Sequence, residues 1–279
     1  MASKKSEFLG QFSEASNPTL ICPECEHGHL QSVSSELKIN EDISSRAAHK
    51  EDYWEPEFAY GGFSGKLLCD RATCKNIIFF SGQVSCDVVR GRDDYSPDGW
   101  SEQLLWILHP KYFSQTLNLI PIQENYPNST VELMLSSFEL FWLDADSCGN
   151  KIRTIVEHLL TLQKIPQFTR GKGKLNRINP HRRIELFTKK NGELGRLMEA
   201  IKWIGNYGSH KKGLTKEDLL SAYEMLDIVL TELFNSRRKS VGKIASAIIK
   251  KKVPKSVTEK RIADRKSARR RKALSLESF

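Results

Sequence analysis

The sequence has no long apolar run, and no apolar segment follows its first basic residues. No stretch approaches the roughly 18 consecutive apolar residues that a membrane-spanning helix needs, so we expect no membrane span. Residues 1–18 contain lysines without an apolar core, so we expect no secretory signal and interpret them as a loose leader. The sequence therefore predicts a cytoplasmic protein.

Most of the chain also lacks an excess of positive charge, although the net charge is +9. Residues 236–279 hold 16 Lys and Arg and three acids, whereas the first 235 residues hold 27 Lys and Arg and 31 acids. The net positive charge thus belongs to the C-terminal tail. A mildly acidic body excludes a protein that binds nucleic acid over its whole surface.

Cysteine is scarce, with six residues among 279, and four of the six are paired. In a cytosolic chain, paired cysteines favour metal ligation over disulfides. Cys22 and Cys25 have two residues between them, and Cys69 and Cys74 have four. Each pair suits a tight turn between strands, and four thiolates satisfy the tetrahedral preference of Zn²⁺. We predict a zinc ribbon over residues 19–90 that holds one structural zinc ion.

Two alternatives to this ligand set remain open. His27 or His29 could replace one cysteine, or the four cysteines could be unrelated buried thiols. Four cysteine ligands would close the coordination sphere and leave no position for water, which favours a structural over a catalytic ion. The remaining two cysteines, Cys86 and Cys148, have no partner in the sequence, and we interpret both as buried thiols.

Two segments around the second cysteine pair have less regular patterns. Residues 31–65 are too long for a plain ribbon loop, and their aromatic residues predict strand-like structure, either in the core or as an exposed binding surface. These residues are Trp54, Phe58, Tyr60 and Phe63. Residues 91–128 are rich in Asp, Pro and Gly, and we interpret them as a connector with one apolar segment.

Residues 129–235 have apolar side chains three and four positions apart, which predicts a bundle of four or five helices. Gly149 predicts a kink or break. Asn179-Pro180 predicts the start of a short helix over residues 180–190, and Thr215 with Asp218 predicts a capping box. The predicted fold class is α+β: a small β zinc ribbon, an all-α bundle, and a basic tail that is helical or disordered.

One stretch of the bundle, Ile204-Gly-Asn-Tyr-Gly-Ser-His210, has a pattern that suits a site. Asn206 and His210 are four residues apart, so they share a helix face if the helix continues through Gly208. Two glycines beside this pair indicate a close backbone approach or a helix end. The alternative for His210 is a helix-terminal side chain bonded to a carbonyl or to Asn206.

Several separated motifs resemble a bacterial helical family of unknown function. They are YFSQTLNLIP, ENYP, GKLNRI, IGNYGSH and LTKEDLLSAYEMLDIVLTELF, and the resemblance covers roughly residues 105–235. That family is often preceded by a zinc ribbon and is grouped with the HEPN superfamily (higher-eukaryote and prokaryote nucleotide-binding domains). The resemblance implies a helical bundle that dimerises through its motif helices.

Catalytic HEPN proteins are metal-independent ribonucleases whose motif is an arginine, four to six residues, and a histidine. In that chemistry the histidine is the general acid and base, and the arginine stabilises phosphate charge. His210 matches the motif, and Asn206 could be the polar residue that commonly follows the arginine directly, but none of positions 203–205 is an arginine. Lys202 is one residue too far away and is a weaker bidentate phosphate clamp than arginine.

Arg153, from an earlier helix, could supply the missing charge in space, or it could pair with Glu157 four residues later. The resemblance therefore gives three candidate catalytic residues, Arg153, Asn206 and His210. Because the arginine is displaced, we expect a protein that is not an enzyme, with an endoribonuclease as the alternative.

The basic tail is predicted to bind nucleic acid without sequence specificity, because it has clustered charge and no interleaved aromatic residues. A disordered solubilising tail and a membrane-surface helix are the alternatives. The residues expected to contact phosphates are Arg237, Arg238, Lys250, Lys251, Lys252, Arg269, Arg270 and Arg271.

These patterns together favour a non-catalytic HEPN-like module that associates with nucleic acid or acts as a scaffold, with bacterial defence as the setting considered. We expect a homodimer through the helical bundle. Two alternatives are a ribonuclease with a composite dimeric site and a protein-interaction adaptor that uses the zinc ribbon.

Overall fold

The computed structural model describes residues 5–92, 100–171, 173–210, 213–234 and 236–253. For a few residues in these ranges, among them His210, Arg237, Arg238 and Lys251, only the backbone is described. Residues 1–230 form one compact unit, and residues 231–279 form a second. The fold is mixed α+β, with an antiparallel sheet followed by helices.

The N-terminal part of the first unit is an antiparallel sheet of seven strands, larger than the small ribbon that the sequence predicted. The strand order is β1-β7-β6-β5-β3-β2, and β4 also pairs with β5. Two short helices, α1 (Lys5–Leu9) and α2 (Ile43–Ala48), accompany the sheet. The strands are β1 (Phe12–Ser13), β2 (Leu20–Ile21), β3 (His29–Ser32), β4 (Lys38–Glu41), β5 (Tyr60–Cys69), β6 (Ile77–Arg92) and β7 (Trp100–Phe113).

Strand β7 lies inside the stretch that we interpreted as a connector, and the structure differs from that interpretation here. Its partner is β6, with a register that runs from Phe80 opposite Phe113 to Arg92 opposite Trp100. The sequence signal was weak because Pro110 interrupts the apolar run, and proline argues against a central strand. The register shifts between Ser81 and Gly82, next to Pro110, and this irregularity accommodates the proline.

Aromatic side chains join the sheet to the helices that follow. The rings of Phe113 on β7 and Trp142 lie 4.9 Å apart, and those of Phe80 and Phe113 lie 6.0 Å apart. Phe8 and Phe12 pack onto the same cluster and are buried. The described part of the leader is therefore anchored rather than loose, because its two phenylalanines complete this core.

The segment between the cysteine pairs has mixed structure. Phe63 on β5 is buried, in agreement with the core interpretation, whereas Phe58 and Tyr60 are about half exposed. The Trp54 ring packs against the His49 ring in a tilted arrangement, with 4.0 Å between the ring centroids. The segment therefore contributes one aromatic residue to the sheet core and leaves others at the surface.

Among the described residues, a hairpin and four helices follow in the first unit, α7 begins there and ends in the second, and α8 lies in the second. The sequence prediction of an all-α region missed the hairpin. The helices are α3 (Asn128–Leu143), α4 (Ala145–Leu162), α5 (Pro180–Thr188), α6 (Gly192–His210), α7 (Lys216–Phe234) and α8 (Ser236–Lys251). The hairpin consists of β8 (Phe168–Gly171) and β9 (Lys174–Arg177).

Helix ends follow local capping chemistry in this region. The Asn179 side chain accepts a hydrogen bond from the Arg182 amide at 2.8 Å, which confirms the predicted start of α5. Thr215 and Asp218 form the predicted reciprocal cap. The predicted break at Gly149 is wrong, because α4 continues through it and the chain breaks at Asp144, which caps α4.

The glycines at 149 and 205 permit close contact between α4 and α6. A Cβ on Gly205 would lie 2.6 Å from the Gly149 carbonyl oxygen and 2.8 Å from the Arg153 Cβ. Both distances are shorter than real Cβ contacts, so only glycine fits at 205 without displacement of backbone. Of the two explanations given for the glycines beside Asn206, the structure supports close approach at Gly205.

No helix among the described residues is both long and apolar enough to cross a membrane.

Replacing Gly205 by alanine should destabilise the first unit by about 1–3 kcal/mol, because the added methyl group would separate α4 from α6. Gly192→Ala, at the start of the same helix, is the matched control, since a Cβ there meets no atom within 4 Å. Urea denaturation measures both changes. Equal unfolding midpoints for the two variants would contradict the close-contact argument.

Candidate functional site

The four predicted ligand cysteines lie together at one end of the sheet. Their sulfur atoms are all within 4.8 Å of one another. The Cys22 and Cys74 sulfurs are 3.9 Å apart, and those of Cys25 and Cys69 are 3.7 Å apart. A tetrahedron with Zn–S bonds of about 2.3 Å places its sulfurs about 3.8 Å apart. The donor set and its spacing therefore fit one metal ion.

Two turns of similar geometry carry these cysteines, although their spacing differs. The first turn connects β2 to β3, and the second connects β5 to β6. Glu26, directly after Cys25, and Lys75, directly after Cys74, both have left-handed backbones, with φ of 54° and 51°. Each pair is thus followed by the sharp reversal that returns the chain to the next strand.

Gly28 and Asp70 hold the two turns against each other, and sequence reasoning missed both. A Cβ on Gly28 would lie 2.5 Å from the Cys69 sulfur, and the Gly28 amide donates to the Cys25 sulfur at 3.3 Å. The Asp70 carboxylate accepts from the His29 amide at 2.8 Å. The sequence signal that could have identified Gly28 was its position, three residues after the second cysteine of a CxxC pair.

The cysteine environments favour ionisation to different degrees. Hydrogen bonds from the backbone amides of His27 and Gly28 lower the pKa of the Cys25 thiol to about 6. Burial raises the pKa of the Cys69 thiol to about 12. Metal ligation requires the thiolate of both residues, so binding would release protons and would be weakened by acid.

The alternative ligands lie outside this group. The His29 side chain faces Asp70, with 3.7 Å between Nδ1 and Oδ2, and the His27 ring contacts the Cys25 carbonyl. Cys86 and Cys148 are buried free thiols that are not part of the cluster. Cys148 lies 3.2 Å from the Tyr223 hydroxyl, and burial raises its pKa to about 12.

The structure brings two of the three candidate catalytic residues together. Arg153 on α4 donates from Nη1 to the Asn206 side-chain oxygen on α6 at 3.0 Å. Arg153 also pairs with Glu157 at 3.4 Å, so both partners weighed for it are present. Asn206 and His210 lie four residues apart in one continuous helix. The His210 side chain lies outside the described part of the chain, so its contact with the pair is not tested.

Lys202, which lies one residue too far from His210 to fit the motif, is hydrogen-bonded to a residue outside the motif. It is only 4% exposed, and its ammonium donates to the His181 ring on α5 at 3.1 Å. Burial lowers its pKa. Trp203 and Tyr207, which stand on either side of Asn206 in the sequence, are 59% and 48% exposed. The motif helix therefore presents two aromatic side chains to its surroundings.

The second unit contains helix α8, where part of the predicted phosphate-contacting set lies. The helix contains six Lys and Arg and no acid. Lys250 and Lys252, at its C-terminal end, are exposed. Of Arg237, Arg238 and Lys251 only the backbone is described, and Arg269, Arg270 and Arg271 lie outside the described residues.

The chain is similar to two uncharacterised families. Residues 10–113 match the family model described as "Domain of unknown function (DUF8608)", and residues 136–260 match the one described as "Domain of unknown function (DUF4145)". The first match covers strands β1 to β7, and the second begins in the middle of α3 and extends beyond α8. No curated protein and no solved structure matched the chain.

Replacing Cys69 by alanine should weaken binding of the metal ion strongly, because one of the four thiolate ligands is lost. Cys86→Ala is the matched control, since Cys86 is also a buried thiol on a sheet strand but lies outside the cluster. Elemental analysis should find one metal ion per chain in the wild type and the control. A Cys69→Ala protein with the same metal content would contradict this assignment.

Proposed function

We propose that the chain is a non-catalytic protein that associates with nucleic acid, with HEPN-like helices behind a zinc ribbon. In this proposal the four cysteines hold one structural zinc ion. The spacing of the cysteine sulfurs supports a tetrahedral site, and four thiolates leave no open position for a reacting water. The metal site then stabilises the N-terminal turns and takes no part in chemistry.

Helix α8 is the observation that carries this proposal. Its six Lys and Arg, among them the exposed Lys250, are not neutralised by any acid in the helix, and the exposed Lys252 directly after the helix adds a further charge. Such clusters attract phosphate backbones by releasing condensed counterions, without regard to sequence. The remaining residues to 279 carry further arginines and lysines, so the attraction would extend beyond the helix.

Deleting residues 236–279 should remove most of the retention on nucleic acid at moderate salt, because 16 Lys and Arg are lost with them. Fluorescence anisotropy with labelled oligonucleotides at several salt concentrations measures the effect. A truncation after Val253 is the control that keeps α8, and it should retain part of the affinity.

Two results would contradict this proposal. One is equal affinity of the full chain and the 236–279 deletion, and the other is no binding by either. Vesicles of anionic lipid serve as a second probe, because exposed Val241, Ile244 and Ile248 give α8 an apolar component. Binding to vesicles without binding to oligonucleotides would replace the proposal by a membrane-surface role.

The hydrogen bond between Arg153 and Asn206 favours a ribonuclease as the second candidate. A guanidinium held beside the motif asparagine would substitute for the arginine that the motif lacks. The attacking 2′-oxygen would form a bond to phosphorus while the 5′-oxygen leaves, and His210 would transfer the proton between them. The exposed Trp203 and Tyr207 support contact of α6 with a second copy, as a composite dimeric site requires.

The ribonuclease candidate predicts cleavage of RNA in the presence of a chelator, with cyclic phosphate ends. His210→Ala should abolish this cleavage, and Arg153→Ala should lower its rate by a factor of about 100 or more. Arg196→Ala, on the same helix as His210, is the control. Identical background cleavage by the wild type and His210→Ala would exclude this candidate.

A further inference from the structure

A second concentration of positive charge lies within the first unit. The net charge of residues 1–235 conceals it, because acids outnumber Lys and Arg there. Residues 164–190 contain nine Lys and Arg and a single acid, Glu185. The other residues up to 235 hold 18 Lys and Arg and 30 acids. This basic segment comprises the β8–β9 hairpin and α5.

The hairpin projects basic and apolar side chains on one face. Phe168 stands opposite Arg177, and Arg170 stands opposite Leu175, so these four residues share a face. Phe168 is 49% and Leu175 is 63% exposed. No residue of the hairpin is acidic, and among the described residues no ion pair is found for Arg170 or Lys174.

An isolated two-stranded hairpin is marginally stable in water, and within the described part of the chain the β8–β9 hairpin forms no ladder with the larger sheet. Its root is instead fixed by the buried Arg183 of α5. Arg183 donates to the Thr161 hydroxyl at 2.9 Å and to the Ile165 carbonyl at 3.3 Å. The Gln167 amide donates to the same hydroxyl at 3.0 Å. The base of the hairpin is therefore held in place while its strands remain exposed.

The basic surface continues from the hairpin to the motif helix. Arg177 lies 4.0 Å from one Glu157 oxygen, and Arg153 lies 3.4 Å from the other. Two guanidinium groups thus share one carboxylate, which leaves a net positive charge between them. Arg153 in turn contacts Asn206, so the charged surface extends from β9 across α4 to α6.

We propose that the β8–β9 hairpin, together with Arg153 and Arg177, is a binding surface for the phosphodiester backbone of nucleic acid. Arginine offers planar donors that match phosphate oxygens, and an exposed aromatic ring beside them can stack on an unpaired base. On binding, the exposed apolar side chains of Phe168 and Leu175 would contact bases instead of water. This inference rests on the proposed association with nucleic acid, and it places part of that association in the first unit.

The test compares the full chain with an Arg170→Gln/Arg177→Gln variant and a Lys38→Gln/Lys50→Gln control. All four side chains are exposed, so both variants should fold, and both lose two positive charges. Anisotropy is measured with single-stranded RNA, single-stranded DNA and duplex DNA of equal length. The hairpin variant should bind several-fold more weakly, with a salt slope lower by about 1.4 on single strands and about 1.8 on duplex DNA. The control should bind as the wild type does.

A Glu157→Gln variant tests the other half of the surface in the opposite direction. Removing the shared carboxylate leaves Arg153 and Arg177 available to phosphate, so affinity should rise several-fold. A gain of this kind cannot come from partial unfolding. Unchanged affinity would overturn the assignment of Arg153 and Arg177.

The outcomes separate this inference from the proposed function. Binding by the full chain that is equally strong in the hairpin variant overturns the hairpin surface alone. No binding by the full chain overturns the proposed function and this inference together. If the hairpin variant loses affinity for only one of the three oligonucleotides, the result supports the surface and identifies the type of nucleic acid that it binds.

Discussion

The close approach of α4 and α6 is the constraint on which the candidate sites of the helical region depend. Because neither Gly149 nor Gly205 has a side chain at the crossing, the two backbones come near enough for Arg153 to reach Asn206. Glu157, one turn further along α4, pairs with both Arg153 and the hairpin arginine Arg177. A wider separation of α4 and α6 would break the hydrogen bond between Arg153 and Asn206.

The sequence predicted local features well because their chemistry lies within a few residues. The cap at Asn179 and the reciprocal Thr215 and Asp218 bonds each need only a residue type and a short spacing. The meeting of the two cysteine pairs at one site could be predicted for the same reason, since each half of the site is a short turn motif.

Non-local features were not predicted, because they depend on contacts that no short window contains. Strand β7 forms through its register with β6, and Pro110 concealed it. Phe8 is a single aromatic residue in a polar leader, and only its packing on Trp142 shows its role. The hairpin lacks apolar alternation, so it was not predicted. The sequence offered Arg153 only as one of two alternatives, because its contact with Asn206 depends on a helix crossing that two glycines indicated without identifying the partner.

The four-cysteine group also has a topological consequence. Cys22 and Cys74 are 52 residues apart in the sequence, and their sulfur atoms lie 3.9 Å apart. Joining two such positions through a single ion restricts the unfolded chain much as a disulfide would, by on the order of 4 kcal/mol of chain entropy. Unlike a disulfide, this cross-link is opened by acid or by loss of the ion rather than by a reductant. A bound ion would thereby couple the order of the N-terminal sheet to metal supply.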